Sequence, residues 1–491
     1  MPRSTSSWLP QAGPTHAALS DRAQQPRRGK LAWLAWALMC SASACVGSAA
    51  PAAPTRLVFL APVSERVSPE DDVFLSAVAA AASNGKPVVC AVDANSPWRP
   101  ELLDYLRRYK PDRVVWLGPG PKGETPPGVA LAVMAVDTAL EGACKLATTS
   151  WRRSSKAVAY NTEDRACALS AAVLAARMRV PLFPCSPDGL PDKVQQCIAQ
   201  LGVTRLLVVC APAVQRPPKV RLSVEHLADA LAVARRLARE RLAVDYLAVA
   251  HPLEGGNGGV PRISLSAVLL AAGRGGAVVP LPFDTTWKRR FATGKPVARA
   301  PEGAGPSKAG HRVGMIEVHG TARAFAVGQD TANDRWWAQF DLNGDGRFDG
   351  PGEGPIRTGG VVAIGDTRYV VDLDVLENER GSAVWLTAPT PGDIVELIGQ
   401  YRNAIGRDPR YLCLAGWPEA VPLAIAGNAQ GTDADLVTDH PYAQTDADPF
   451  VDLAFARFVA EDVASGTLLA CRSLTFDEIS DRALAATYAM A

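Results

Sequence analysis

The sequence has almost no net charge and lacks the common nucleotide-binding and metallopeptidase motifs. Its 51 lysines and arginines offset 50 aspartates and glutamates, which leaves a formal net charge of +1. Such a chain has no global attraction for nucleic acid, so we expect no nucleic-acid partner. It contains no GxGxxG after a strand, no phosphate-binding loop, no nucleophile elbow and no HExxH. It also lacks a CxxC pair and a Cys/His cluster with zinc spacing, which argues against a structural zinc site.

The apolar run near the N-terminus is too short for a permanent membrane anchor. A basic segment, 27–30, precedes the apolar stretch 31–45, which ends in small residues before Pro51. This pattern is typical of a signal peptide, whereas a membrane-spanning helix needs roughly 20 apolar residues. We therefore predict that residues 1–50 are removed on export and that no membrane span is left. The mature protein is expected in the periplasm, on the cell surface or outside the cell.

Eight cysteines follow position 50. This even number, in a chain that we expect to meet an oxidising compartment, permits disulfides without requiring them. Cys90 and Cys210 lie in the apolar runs PVVCAV and LLVVCAP. Buried free thiols often act as small hydrophobic groups, so we expect both cysteines to be buried and unbonded.

The first half of the chain repeats one pattern three times. Segments that begin LSA lie at Leu75, Leu169 and Leu265, which are 94 and 96 residues apart. Each reads as a helix that is preceded and followed by an apolar strand, which is a βαβ unit. Continuous apolar strands indicate parallel sheets covered on both faces. The predicted fold class is α/β, with three tandem small doubly wound units. Their predicted bounds are 55–150, 151–242 and, for a partial third unit, 243–292.

This pattern resembles the tandem cell-wall-binding repeats of bacterial surface proteins over about residues 55–285. The best match is ALSAAVLAARMRVPLFPC with LPDKVQQCIAQLGVTRLLVV. The resemblance implies noncovalent attachment to an anionic polymer or polysaccharide of the cell envelope. Basic side chains beyond the carboxyl ends of the strands would then bind it, because ligands of α/β sheets usually lie there.

The candidate ligand-binding residues stand out in the WKRRF cluster. They are Lys288, Arg289 and Arg290, with Arg152, Arg153 and Arg274 as further candidates. The alternative is that these residues are solvated surface charges.

After the repeats, the composition changes twice. Residues 293–312 are rich in Pro, Gly and Ala and lack periodicity, which predicts a linker. Residues 313–383 contain alternating and β-branched runs separated by turn residues, which predicts a small β-rich module.

This module contains the sequence FDLNGDGRFD, which is typical of a calcium loop. Oxygen-bearing side chains recur at every second residue, and a glycine at position 346 permits a sharp turn. We predict a Ca²⁺ site with these ligands: Asp341, Asn343, Asp345, the carbonyl of Arg347, and Asp349. The loop departs from an EF-hand because its twelfth position is Gly352 and the nearest carboxylate is Glu353. The alternative is a plain Asp/Asn/Gly turn without metal.

The C-terminal segment, 384–491, resembles the first subdomain of gingipain-type cysteine peptidases. The matching residues are Gly416, Val421-Pro422, Asp439, Tyr442, Asp446, Asp448 and 452–457. In that family the catalytic histidine and cysteine follow this subdomain, and this chain ends at Ala491. A dyad of His319 and Cys413 is not expected, because both lie in strand-like sequence and a nucleophile needs a neighbouring base.

Two functions therefore remain open. The favoured one is a binding protein of the cell envelope that is non-catalytic as given. The alternative is the N-terminal part of an exported gingipain-type peptidase whose catalytic half is missing. For the chain as given, we expect no thiol-dependent peptidase activity.

Overall fold

The computed structural model describes residues 55–212, 214, 222–252, 261–281, 287–318, 321–332, 335–365, 367–375, 382–418, 420–426, 436–444 and 451–479. The predicted signal segment, residues 1–50, lies outside this part of the chain. None of the helices in the described ranges is both long and apolar enough to cross a membrane.

Two α/β units with the same architecture follow one another in the chain. The first contains β1 (Leu57–Pro62), α1 (Glu70–Ser83), β2 (Val89–Val92), α2 (Pro100–Tyr109), β3 (Arg113–Leu117), β4 (Leu131–Met134) and α3 (Ala139–Ser150). The second contains β5 (Lys156–Asn161), α4 (Arg165–Met178), β6 (Leu182–Cys185), α5 (Asp192–Leu201), β7 (Arg205–Val209), β8 (Ser223–Leu227) and α6 (Ala230–Arg239). The sheets have the orders β2-β1-β3-β4 and β6-β5-β7-β8, and all their strands are parallel.

A third unit begins in the same way and is then interrupted. It starts with β9 (Tyr246–Ala250), α7 (Ser264–Gly273) and β10 (Gly276–Pro280). Seven antiparallel strands follow: β11 (Trp287–Val297), β12 (His311–Val318), β13 (Thr321–Gln329), β14 (Trp336–Phe340), β15 (Val361–Ile364), β16 (Thr367–Val375) and β17 (Ser382–Ala388). They form one sheet of order β14-β13-β12-β11-β17-β16-β15, which we call the β-rich module. Its core includes Phe325, Phe340 and Leu386.

The third unit resumes after the module. Its remaining elements are α8 (Pro391–Ile405), β18 (Tyr411–Ala415), β19 (Ala424–Ala426), β20 (Leu436–Thr438), α9 (His440–Ala443), β21 (Ala454–Phe458) and α10 (Val463–Leu474). The strands β10-β9-β18-β21 form a parallel sheet with the order of the first two sheets.

The boundaries predicted after residue 243 differ from this arrangement. The partial unit 243–292 and the C-terminal segment 384–491 are two parts of one α/β unit, because β18 pairs directly with β9. The predicted linker, 293–312, also differs. Residues 293–297 complete β11 and residues 311–312 begin β12, so the β-rich module extends from Trp287 to Ala388.

The last helix of each unit begins at an equivalent cap. The side chains of Thr138, Asp229 and Asp462 each accept a hydrogen bond from the backbone N–H three residues later. Such a cap satisfies a donor that the first helical turn leaves unpaired, which explains why α3, α6 and α10 start there.

The three units contact one another in pairs and so close into a ring. Helices α1, α4 and α7 pack together at its centre, and α10 returns to cover β2 of the first unit. The central helices are rich in alanine and almost wholly buried, which allows close packing on every side. Leu75, Leu169 and Leu265 lie on these three helices, and each is 0% exposed.

Candidate functional site

Three charged side chains meet where the central helices begin. Asp71 lies in the first turn of α1, Arg165 begins α4, and Arg262 precedes α7. One Asp71 carboxylate oxygen accepts a hydrogen bond from Arg262 Nη2 at 2.7 Å, and the same oxygen lies 2.9 Å from Arg165 Nη2. Asp71 and Arg262 are 0% exposed and Arg165 is 8% exposed. A single carboxylate therefore links the first unit to both of the others inside the protein.

The Arg262 guanidinium also binds backbone. Its Nη1 donates to the carbonyl oxygens of Ser64 and Arg66 at 2.7 and 2.8 Å. These residues lie in the segment between β1 and α1. Arg262, a residue of the third unit, therefore fixes the segment between β1 and α1 and so positions the N-terminus of α1.

Asp72, the next residue, has a different environment. Its Oδ1 accepts a hydrogen bond from the Tyr160 hydroxyl at 2.7 Å, and the carboxyl is largely buried. Burial raises the pKa of Asp72 to about 6, although the Tyr160 hydrogen bond and the Arg165 charge act in the opposite direction. Desolvation is the dominant cause because burial disfavours the ionised form.

Sequence reasoning missed this charged centre, although the repeat register contains a signal for it. Asp71 and Arg165 lie four residues before the repeated Leu75 and Leu169, so two opposite charges occupy equivalent positions. Charges at the start of alanine-rich, fully buried helices predict an internal ion pair.

A cavity of about 360 Å³ lies at the carboxyl edge of the first sheet. It is bounded by the ends of β1 and β3 and by the beginnings of α1 and α3. The described residues that line it include the carboxylates of Glu70 and Asp137 but no lysine or arginine. Its chemistry suits hydrogen-bond donors such as hydroxyl groups better than an anion.

The predicted basic residues lie elsewhere. Arg289 and Arg290 are exposed side chains on β11, in the middle of the β-rich module, and Arg290 lies 3.5 Å from Asp374. Lys288 is on the same strand, and its side chain lies outside the described residues. The expectation that this cluster occupies a loop beyond a strand of the repeats is wrong, because these residues pair with β17.

The other basic candidates are also far from the carboxyl edges. Arg152 and Arg153 lie between α3 and the start of β5. Arg274 follows α7, before β10, and donates a hydrogen bond to the carbonyl oxygen of Ser473 at 2.7 Å. All three are therefore at the amino ends of the strands.

The predicted calcium loop is a compact turn built around Asp341. The carboxylate of Asp341 accepts hydrogen bonds from the N–H groups of Gly344, Asp345 and Gly346 at 2.7 to 3.1 Å. Gly344 and Gly346 have φ of +80° and +81°, a left-handed conformation that favours glycine. Asp341 is only 3% exposed.

Glu353 closes the loop. Its Oε1 accepts hydrogen bonds from the N–H groups of Leu342 and Asn343, and its Oε2 accepts one from Gly350. Asp349 instead pairs with the Arg347 guanidinium at 2.6 Å, and this guanidinium also lies 2.6 Å from Glu302. In this structure the oxygens of Asp341, Asn343 and Asp345 accept backbone N–H groups of the turn, and Asp349 would have to leave its arginine to join them in a cation site.

In the C-terminal part of the third unit, the polar contacts centre on Arg457. Its guanidinium pairs with both carboxylate oxygens of Asp439 and donates to the carbonyl oxygens of Gly416 and Val421. The Tyr442 hydroxyl donates to the carbonyl of Pro422. These side chains therefore hold together the carboxyl end of the third sheet.

The environment of Cys413 does not suit a nucleophile. Cys413 lies in β18 and is 4% exposed. Burial raises the pKa of its thiol to about 11, so it stays protonated at neutral pH. His319 lies outside the described residues.

The cysteines correct one expectation. Cys90 is a buried thiol as expected, but Cys210 forms a disulfide with Cys167. The prediction of a free Cys210 is wrong because residue 210 ends its strand and turns, at φ +55°, towards α4. Among the described residues, one group of three metal-ligating side chains lies together: Asp164, Cys167 and Cys210. Since both of its sulfurs are in the disulfide, neither is a thiolate ligand.

Comparison with known proteins gives two partial structural matches. Cwp6 from Clostridium difficile is 13% identical with a TM-score of 0.33, and Cwp8 from Clostridium difficile is 17% identical with a TM-score of 0.36. Each alignment covers 46% of this chain, and 38% and 40% of those chains respectively. The chain therefore spans less than half the length of either structure. No family model and no curated protein sequence matches it.

Proposed function

We propose that this chain is an exported binding protein that attaches noncovalently to a polysaccharide polymer of the cell envelope. The observation that carries the proposal is the ring of three α/β units with one strand order. A polymer repeats its chemical group along its length, so a rigid body with repeated sheets can engage several groups at once. Linked weak contacts of this kind raise the overall affinity without any single strong site.

The carboxyl edges of the sheets are the proposed contact surfaces. The first of them has the 360 Å³ cavity with Glu70 and Asp137, whose carboxylates accept hydrogen bonds from sugar hydroxyls. Arg289 and Arg290 are exposed neighbours on β11 whose side chains point to opposite faces of the sheet, so each offers a separate contact for any acidic groups of the polymer; Lys288 lies on the same strand.

We expect the full chain to be retained on purified envelope polysaccharide in a pull-down. Replacing both Glu70 and Asp137 by alanine should reduce retention several-fold if hydroxyl groups are bound at the first sheet. Replacing Arg289 and Arg290 by serine tests whether acidic groups contribute. Asp408→Ala is the matched control, because Asp408 is an exposed acid whose side chain is 72% accessible.

A wild-type chain that no envelope fraction retains would refute the proposal. Thiol-dependent cleavage of a peptide substrate would favour the peptidase alternative.

A Ca²⁺ ion in the Asp341 loop is a further part of the proposal. Two carboxylates and an amide oxygen within five residues would supply ligands to a hard cation. Because binding adds RT ln(1 + [L]/Kd), a site of millimolar affinity should add only about 1 kcal/mol at a few millimolar calcium. The check is thermal melting with calcium, with chelator, and with calcium on Asp345→Ala. Equal midpoints in all three samples would mean that the loop is a metal-free turn.

A further inference from the structure

Six of the eight cysteines after position 50 lie in three side-by-side pairs. Cys167 and Cys210 are both in the second unit and form a disulfide. The other two pairs join different units. Cys144 contacts Cys197 between the first and second units, and Cys90 contacts Cys471 between the first and third.

Cys90 and Cys471 face each other across a tightly fixed interface. Cys90 is on the edge strand β2 and Cys471 is on α10, and burial and the neighbouring Cys90 thiol both raise the pKa of Cys471. The Cys471 thiol also lies 3.3 Å from the carbonyl oxygen of Val89. One turn earlier on α10, the Thr467 hydroxyl accepts a hydrogen bond at 2.8 Å from the N–H of Ala91. Thr467 and Cys471, which lie one turn apart on α10, therefore contact the backbone of Ala91 and Val89 on β2.

Both ends of α10 are also held on the first unit. At its start, Asp462 lies 2.6 Å from Arg99, and Glu65 accepts a hydrogen bond from the N–H of Val463 at 2.8 Å. At its end, Lys86 donates to the carbonyl oxygen of Leu474 at 2.8 Å. These contacts keep Cys471 opposite Cys90 and limit sliding of the helix.

We propose that, in the exported protein, Cys90 and Cys471 form a disulfide that closes the ring of three units covalently. This inference rests on the part of the proposed function that says the chain is exported, because disulfides persist in oxidising compartments. In the step, the two thiols lose two protons and two electrons and form one S–S bond. A disulfide oxidant, either a protein disulfide or oxidised glutathione, accepts them and becomes two thiols.

The exchange takes place before α10 has docked. Cys90 and Cys471 are 1% and 0% exposed in the folded chain, so an oxidant cannot reach them there. Burial also raises the pKa of the Cys471 thiol well above its usual range, and exchange requires the thiolate. The bond would then close a loop from residue 90 to residue 471, which removes much conformational freedom from the unfolded state.

The experiment measures the gel mobility of the full chain and identifies which of its cysteines are bonded. Reduced, denatured protein is diluted into a buffer of reduced and oxidised glutathione, and a second sample of native protein is held in oxidised glutathione alone. Both are trapped with acid, alkylated and mapped by mass spectrometry. In the refolded sample we expect a cross-linked peptide pair that contains Cys90 and Cys471, whereas the native sample should keep both thiols because the oxidant cannot reach them. On a non-reducing gel the loop between residues 90 and 471 should give a clearly faster band than the reduced chain.

Three alanine variants make the result specific. Cys90→Ala and Cys471→Ala should each lose the fast band, whereas Cys413→Ala, a buried cysteine outside the three pairs, should keep it. If Cys90 and Cys471 remain alkylatable in both samples while Cys167 and Cys210 are linked, the inference is wrong. Polymer retention is measured separately on the same samples. A linked chain that no polymer retains would refute the proposed function alone, and an unlinked chain that is retained would refute the disulfide alone.

Discussion

Replacement of Asp71 by alanine should destabilise the protein by about 3–5 kcal/mol, the usual cost of removing one partner from a buried ion pair. Asp71 is 0% exposed and its carboxylate lies within 2.9 Å of both Arg262 and Arg165. Without it, two guanidinium groups would remain inside the protein with no carboxylate between them. Burial already lowers the pKa of Arg165, which shows how strongly this site disfavours an unpaired cation.

Urea denaturation of the wild type and the variant measures this loss. Asp408→Ala is the matched control and should change stability by less than about 1 kcal/mol, because its pair with Arg402 is at the surface. A triple variant, with Asp71→Leu, Arg165→Met and Arg262→Met, should recover only part of the loss, since apolar side chains often replace a buried charge cluster at little cost but the carbonyl oxygens of Ser64 and Arg66 lose the Arg262 donor. A loss below about 1 kcal/mol in Asp71→Ala would contradict the structural role that we assign to this centre.

The helix and strand that begin each unit could be predicted from the sequence because they carry the same short-range pattern. The helix that contains Leu75, Leu169 or Leu265 is alanine-rich, and an apolar strand follows it within a few residues. Hydrophobic periodicity detects such local units well. All three leucines indeed lie at 0% exposure on the central helices.

The second half of the third unit could not be found in the same way. In the first two units the second strand is followed within eight residues by an amphipathic helix, α2 or α5. In the third unit, residues 281–390 separate β10 from α8, and most of them form the β-rich module. Trp287 and Ala388 pair with each other, so the module leaves and rejoins the unit at neighbouring points. Constant spacing does not reveal a unit with such an insertion, so the sequence alone predicts a separate C-terminal subdomain.

The position of the basic cluster also could not be predicted from the sequence. Lys288, Arg289 and Arg290 follow β10 directly in sequence, which predicted a position beyond its carboxyl end. Strand pairing with β17 instead draws them into the β-rich module. The partner strand lies about 100 residues further along the chain, and the local sequence pattern does not predict strand pairing over such a distance.

Asp72→Asn should have the opposite effect to Asp71→Ala and stabilise the protein at neutral pH. The carboxyl of Asp72 has a pKa of about 6 in the folded chain and an ordinary value of 3.8. The folded state therefore binds its proton more tightly than the unfolded state, so this residue makes the protein less stable as pH rises from about 4 to 6. An asparagine has no proton to lose, and its carbonyl oxygen can still accept the Tyr160 hydrogen bond.

We expect Asp72→Asn to exceed the wild type by about 1–3 kcal/mol in free energy of unfolding at pH 7, given 1.36 kcal/mol per pKa unit. The difference between the two proteins should shrink as pH falls through 6 and vanish below about pH 3, where Asp72 is protonated in both states. The comparison is made as a difference at each pH because other carboxyls, such as Asp393 and Asp462, have lowered pKa values and act in the opposite direction. Tyr160→Phe removes the donor to the ionised carboxylate and should destabilise the wild type more at pH 7 than at pH 4. A pH-independent difference between Asp72→Asn and the wild type would show that Asp72 does not titrate in this range.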